Sequence, residues 1–242
     1  MNQIVIDNRK KIQDATNACF DMLVSYCEEI KKHKNNMVLI GQQPYVEDEK
    51  GRLWAEQEAF AKKKVTPICD NLRKIMSEKI WEVADAISEA PIDPVDLSGI
   101  GTLAGLLGGS ISTLSQADII YSLQDFVTQM RGQMKALSIL RVALDKAGAP
   151  EDRSLKDKYG NPLIFRVEER MSKLLRIVDD MYHLTTNTIR AFDLGRELQI
   201  FAEDMGVEIN ESFKDKLRAL NPDDYEGLYF ENMKSYMGIS GI

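Results

Sequence analysis

The chain has 242 residues, of which 44% are hydrophobic and 29% charged, as in a folded protein that buries a substantial core. Its net charge of −7 argues against non-specific binding to a nucleic-acid backbone, because that affinity comes from clustered Lys and Arg. The 3 cysteines show no C-x-x-C spacing and predict buried apolar thiols in a reducing compartment. We therefore expect no nucleic-acid partner, disulfide framework or zinc site.

The first residues, MNQIVIDNRKK, contain no basic segment followed by an apolar core. This pattern is unlike a cleaved secretory signal. We predict a cytoplasmic or particle-associated protein.

Four long stretches have apolar residues at helical spacing. They run from Asp7 to about His33, from Arg52 to Glu89, from Gln116 to Gly148 and from Pro162 to about Gly206. Residues 35–51 are turn-rich, and we predict that they are irregular. Pro67 lies inside the second stretch, where the unbroken apolar stripe favours one kinked helix over two helices. The fourth stretch is long enough that we expect a break near residues 185–187 or at Gly195.

The last part of the chain predicts two short helices. Asn210 is a suitable N-cap for a helix that ends at Leu220, and Asn221 with Pro222 begins the final segment. That segment carries an apolar side made of Tyr225, Tyr229, Met233 and Tyr236. Packing of this arm on its own bundle and docking on a partner are both compatible with the pattern.

An uncharged, glycine-rich stretch, LSGIGTLAGLLGGSISTLSQA, occupies residues 97–117. Gly101, Gly105 and Gly109 recur every four residues, so a helix would align them as a smooth ridge, in the manner of a glycine zipper. The bulky side chains of this stretch would lie on the opposite face, and they include Leu103, Leu107 and Ile111. The stretch is interpreted as a packed internal or inter-subunit segment, with an ordered loop and a membrane-active segment as alternatives.

Catalytic patterns are sparse. His33 lies in a Lys cluster and is expected to be solvated, whereas His183 follows Asp179 and Asp180 at helical spacing. That triplet could offer two metal ligands or a hydrogen-bonded pair, but a di-iron bundle needs Glu-x-x-His on two helices. Neither a phosphate-binding loop nor a nucleophile motif occurs in the sequence. We expect no enzymatic activity, cofactor, metal or small-molecule substrate.

These patterns predict an all-α protein, an elongated bundle of about four long antiparallel helices. The glycine-rich insert, residues 97–115, lies between the second and third helices. The expected division is a bundle over residues 1–206 and a C-terminal helical arm over 207–242. The expected function is that of a non-enzymatic structural or assembly protein that acts as a homo-oligomer, with a virion component of a phage-like or other large particle as one setting. The alternative is a membrane-active helical protein that inserts residues 97–117.

Overall fold

A computed structural model describes residues 3–93, 97–102, 127, 130–146, 167–183 and 187–221. Helices hold 86% of the interpretable residues and no strand occurs among them, which confirms the predicted all-α class. Residues 97–102 are helical and Ile75–Ile80 form a π-helix. The other helices are α1 (Gln3–Gln42), α2 (Glu47–Lys74), α3 (Trp81–Glu89), α4 (Met134–Lys146), α5 (Val167–Met181), α6 (Asn187–Asp204) and α7 (Glu211–Arg218).

Helix α1 is a single helix of 40 residues, longer than the sequence predicts. The irregular structure predicted for residues 35–51 is wrong over 35–42, which belong to α1, and over 47–51, which belong to α2. Proline lacks an N–H and disfavours helical geometry in the residue before it, and the first proline in the chain is Pro44. Nothing before that residue forces the helix to end, so the apolar run at 37–40 continues it.

Helix α2 passes through Pro67 without ending, as the unbroken apolar stripe predicted. The π-helix that joins α2 to α3 was not predicted. Its position follows from the spacing of the core residues, because repeated steps of four drift around an α-helix of 3.6 residues per turn. A wider turn corrects this drift and keeps one row of side chains buried. That row is Leu72, Met76, Ile80 and Ala84, each 0% exposed.

The third predicted helix is interrupted within the described residues. Residues 130–132 form a turn, closed by a 3.0 Å hydrogen bond from Gln133 N–H to the carbonyl of Met130. Gly132 has a φ of +78°, which suits the third position of a type II turn and which other residues rarely adopt. The prediction of one continuous helix is therefore wrong here. One residue in the left-handed conformation leaves the helical spacing of the apolar residues unchanged, so the sequence pattern does not reveal it.

Within the described residues the fourth predicted stretch contains two helices, since α5 ends at Met181 and α6 begins at Asn187, while its predicted start at Pro162 lies outside them. This confirms a break near residues 185–187. A break at Gly195 does not occur, because that residue lies inside α6. A Cβ at position 195 would lie 2.7 Å from Leu220 Cδ1 and 3.2 Å from Phe20 Cε1. The glycine therefore permits close packing rather than ending the helix.

The described residues belong to two compact units. Unit 1 draws on Met1–Ala15, Glu78–Met171 and Ile200–Ile209, and unit 2 on Thr16–Ser77, Ser172–Gln199 and Asn210–Ile242. Helix α1 contributes residues to both units. The division at 206/207 expected from the sequence stays a prediction.

Arg9 links two chain reversals within unit 1. Its Nε donates to the carbonyl of Met205 at 3.0 Å, and its Nη2 donates to the carbonyl of Arg131 at 2.5 Å. Each carbonyl directly precedes a glycine of positive φ, Gly206 at +80° and Gly132 at +78°. A half-buried guanidinium therefore satisfies backbone acceptors that the reversals leave unpaired.

Unit 2 has an aromatic core contact between α1 and α7. The rings of Phe20 and Phe213 pack edge to face, with centroids 5.2 Å apart, and both side chains are 0% exposed. The predicted cap at Asn210 is confirmed, because its Oδ1 accepts a 3.0 Å hydrogen bond from Phe213 N–H. The start of α7 thus places Phe213 in the core. In the same unit, Tyr26 donates a buried 2.8 Å hydrogen bond to the carbonyl of Met181, the last residue of α5.

Candidate functional site

One of the contact residues predicted from the sequence lies within the described chain. Gly101 is exposed at the end of the helical stretch 97–102, and a Cβ there would meet nothing within 4 Å, while neighbouring Ile100 is 2% exposed. The position of Gly101 is thus open, and of the two bulky residues in this stretch Ile100 is packed while Leu97 is 50% exposed. The other nine residues lie outside the described residues: Gly105, Gly109, Leu103, Leu107, Ile111, Tyr225, Tyr229, Met233 and Tyr236.

The acidic residues before His183 have basic partners. Asp179 forms an ion pair with Arg73 of α2, and Asp180 lies 3.5 Å from Arg190 Nε of α6. His183 itself is exposed. Within the described residues no group of three His, Cys, Asp or Glu side chains is arranged to hold a metal ion. The carboxylates act here as ion-pair partners between helices of unit 2.

The three cysteines are free thiols in the core. Cys19, Cys27 and Cys69 are each 0% exposed, which confirms that they are buried apolar residues. Burial raises the pKa of the Cys27 thiol to about 12, and burial together with Asp70 raises the pKa of Cys69 to about 12. A thiol attacks as its thiolate, so these groups are poor nucleophiles at neutral pH.

We expect the native protein to react very slowly with a thiol reagent such as DTNB at about pH 8, because all three thiols are buried from the reagent and burial keeps those of Cys27 and Cys69 protonated. All three thiols should react at once in denaturant. A Ser172→Cys variant is the positive control, since Ser172 is exposed on α5 and its thiol should react fully before unfolding. Rapid native labelling of two or more thiols in the unsubstituted chain would contradict the burial described above.

Helices α1 and α2 form an antiparallel hairpin in unit 2. Trp54 Nε1 of α2 donates a 3.2 Å hydrogen bond to the carbonyl of Met37 near the end of α1. Further along the hairpin, a cavity of about 270 Å³ is lined by His33 of α1 and by Gln57 and Phe60 of α2. The connection between the helices is residues 43–46.

His33 is buried in this hairpin, so the solvated position predicted from the Lys cluster is wrong. The side chain is 8% exposed because it continues the buried row of Tyr26 and Ile30 at steps of four and three. Its Nδ1 has no hydrogen-bond partner among the described residues. Burial lowers the pKa of His33, and Lys34 adds to this effect while Glu58 opposes it. The neutral imidazole is therefore the form that fits the hairpin.

Acid should weaken the fold through this residue. Since the folded pKa of His33 lies below its ordinary value of 6.5, the unfolded chain takes up the proton first as the pH falls. The stability that neutral His33 contributes to the fold is intact above about pH 6.5 and is lost as the pH falls through the pKa of His33 in the folded protein. Urea denaturation should show a smaller acid-induced loss of stability in His33→Gln than in the unsubstituted protein. His183→Gln, which removes an exposed imidazole, should leave the loss unchanged.

The connected end of the hairpin exposes an apolar cluster that the sequence analysis missed. Leu39 is 55% exposed, Tyr45 is 40% and Val46 is 71%, and we call these three residues the hairpin-end cluster. The signal was present in the sequence as an apolar run just before Pro44 and two apolar residues just after it. An irregular segment gave no reason to expect these residues at one end of the protein's helices, whereas the helix bounds place all three near the connected end of the hairpin.

Charges of both signs follow the cluster along α2. Glu47, Asp48 and Glu49 occupy the first turn of the helix, where negative charge is favoured by the helix dipole. Lys62, Lys63 and Lys64 lie further along the same helix and are exposed. The hairpin thus presents an apolar end, an acidic turn and a basic run in order.

Comparison with models of protein families, with curated proteins and with solved structures finds no match to this chain. Among the described residues, no helix combines the length and the apolar character needed to cross a membrane.

Proposed function

We propose that this protein is a non-enzymatic assembly component that acts as a homo-oligomer. The observation that carries the proposal is the hairpin-end cluster, because three large apolar side chains stay 40% to 71% exposed on a well-packed hairpin. Burying one such side chain in a contact stabilises it by about 1.5–3 kcal/mol. A second copy of the chain that covers this end would remove all three from water.

The described chemistry supports a contact role. The cysteine thiols are buried and the carboxylates before His183 are ion-paired, so these candidate groups serve the fold. Gly101 adds a second open surface, where a neighbouring backbone could approach closely. In this proposal the four-helix bundle holds the glycine ridge and the C-terminal aromatic arm as further contacts, as in a subunit of a phage-like or other large particle.

Light scattering over a range of protein concentrations tests the proposal. The unsubstituted chain should exceed the monomer mass, and Val46→Glu should lower the mass towards the monomer by placing a charge in the apolar contact. Val46 precedes the first turn of α2, where an added carboxylate is tolerated by the folded monomer. Asn71→Glu adds the same charge at an exposed position of the same helix and should leave the mass unchanged.

A monomeric mass at every concentration would overturn the proposal. The membrane-active alternative makes the opposite prediction for residues 97–117: the chain should float with lipid vesicles, and Gly105→Asp should abolish that binding. Loss of oligomers in plain buffer on the same substitution would instead support the glycine ridge as a protein contact.

A further inference from the structure

The outer face of α2 carries charges in a self-complementary order. Asp48 lies near one end of the helix, and Lys63 lies fifteen residues later, about 22 Å along the axis. If a second α2 runs antiparallel beside the first, the basic run of each copy lies level with the acidic turn of the other. A helix with this charge order can therefore pair with a copy of itself.

Small residues occupy the same face between these charges. Asp48, Ala55 and Ala59 point within about 40° of one another at 100° per residue, and Lys63 follows Ala59 by four residues. All four are exposed. The alanines leave room for the backbone of another helix, and the ion pair between Arg52 and Glu56, at 2.7 Å, lies beside them.

We propose that a second copy of this chain covers that face, with its α2 antiparallel about a two-fold axis near residues 55 and 56. Asp48 of each copy then lies opposite Lys63 of the other. The same register brings Tyr45, at the hairpin end, level with exposed Thr66 of the other copy, so the hairpin-end cluster continues the contact. The inference rests on the proposed homo-oligomer and specifies its geometry.

Charge favours a second copy over a lipid surface as the occupant. The three acidic residues Glu47, Asp48 and Glu49 directly follow the hairpin-end cluster and would repel anionic headgroups. A copy of α2 supplies a basic run at the matching distance, and a two-fold contact repeats each pair twice. The acidic turn of each copy thus finds its basic partner on the other copy, and no further molecule is needed.

Charge reversal tests the pairing. Asp48→Lys and Lys63→Asp should each weaken self-association at least about tenfold, because each places two like-charged pairs in the contact. The double variant should recover association, and an equimolar mixture of the two single variants should form mixed dimers. Glu28→Lys and Lys10→Asp make the same charge changes at exposed positions of α1 and should leave association unchanged.

Cysteine cross-linking tests the direction of the helices. Ala55→Cys lies next to the two-fold axis and should form a disulfide between copies under mild oxidation. Ala59→Cys should not, because its two copies are about 10 Å apart along the antiparallel axis. Equal cross-linking at both positions would indicate parallel helices and overturn the proposed geometry.

The outcomes separate the two proposals. A chain that is oligomeric, but whose association ignores Asp48, Lys63 and Ala55→Cys, keeps the assembly function and overturns this interface. A strictly monomeric chain overturns both. Flotation of the unsubstituted chain with phosphatidylcholine vesicles, abolished by Val46→Glu, would assign the hairpin end to lipid and also overturn the interface.

Discussion

Gly206→Ala is expected to lower the free energy of unfolding by about 2–4 kcal/mol. Gly206 ends α6 in a Schellman motif, where Val207 N–H donates to the carbonyl of Ala202 at 2.9 Å and Gly206 N–H donates to the carbonyl of Glu203 at 2.9 Å. Its φ of +80° is strained for alanine. A Cβ at this position would also overlap the guanidinium of Arg9, 2.5 Å from its Cζ.

The loss of stability in Gly206→Ala extends beyond the turn at the end of α6. Arg9 would have to leave the carbonyls of Met205 and Arg131, so two partly buried acceptors would lose a charged donor. Gly132→Ala should act in the same direction, since its φ is +78° and its Cβ would lie 3.0 Å from the carbonyl oxygen of Met205.

Gly51→Ala is the matched control for these two variants. Gly51 lies within α2, and a Cβ there would meet nothing within 4 Å. Alanine should therefore stabilise the protein by up to about 1 kcal/mol through its higher helix propensity. Thermal and urea denaturation followed by circular dichroism measure all three. Equal effects at positions 51 and 206 would contradict the close contact between Gly206 and Arg9.

Phe20→Ala should cost about 3–5 kcal/mol of stability, because it removes a fully buried ring and leaves a cavity. The ring packs edge to face against Phe213 and would lie 3.2 Å from a Cβ at position 195, so little space is available for the surroundings to relax. Phe213→Ala should have a similar effect. The double variant should lose about 0.5–1.5 kcal/mol less than the sum of the single losses, which is the coupling of the two rings.

Phe60→Ala is the control for the loss of a ring. Phe60 is 55% exposed on α2, so its removal should change stability by less than about 1 kcal/mol. Denaturant titration of the four variants gives the comparison. A loss at Phe60 as large as that at Phe20 would contradict the assignment of the core of unit 2.

The helical class followed from the sequence because amphipathic spacing reports local geometry. The apolar row of α1 includes Ile12, Cys19 and Leu23, which are all 0% exposed, and the cap at Asn210 also followed from residue type. The passage of α2 through Pro67 followed from an unbroken stripe. In each case the deciding interaction lies within a few residues along the chain.

The candidate contact surface could be predicted only in part. Gly101 was singled out from its spacing and its role as a contact stays a prediction, whereas the hairpin-end cluster was missed because residues 35–51 were interpreted as irregular. Leu39 and Val46 lie near the same end of a hairpin only when α1 continues to Gln42 and α2 begins at Glu47. A misjudged helix end therefore concealed an exposed apolar surface.

By itself the sequence determined that this protein is helical, that Asn210 caps a helix and that the cysteines are apolar core residues, since these depend on local geometry and side-chain polarity. The tertiary structure decided that His33 is buried, that Asp179 and Asp180 pair with arginines, and that Arg9 links the reversals at Arg131 and Met205. Those outcomes depend on which residues, far apart in the sequence, pack beside each of these side chains in the folded protein. Periodicity along one chain does not contain that information.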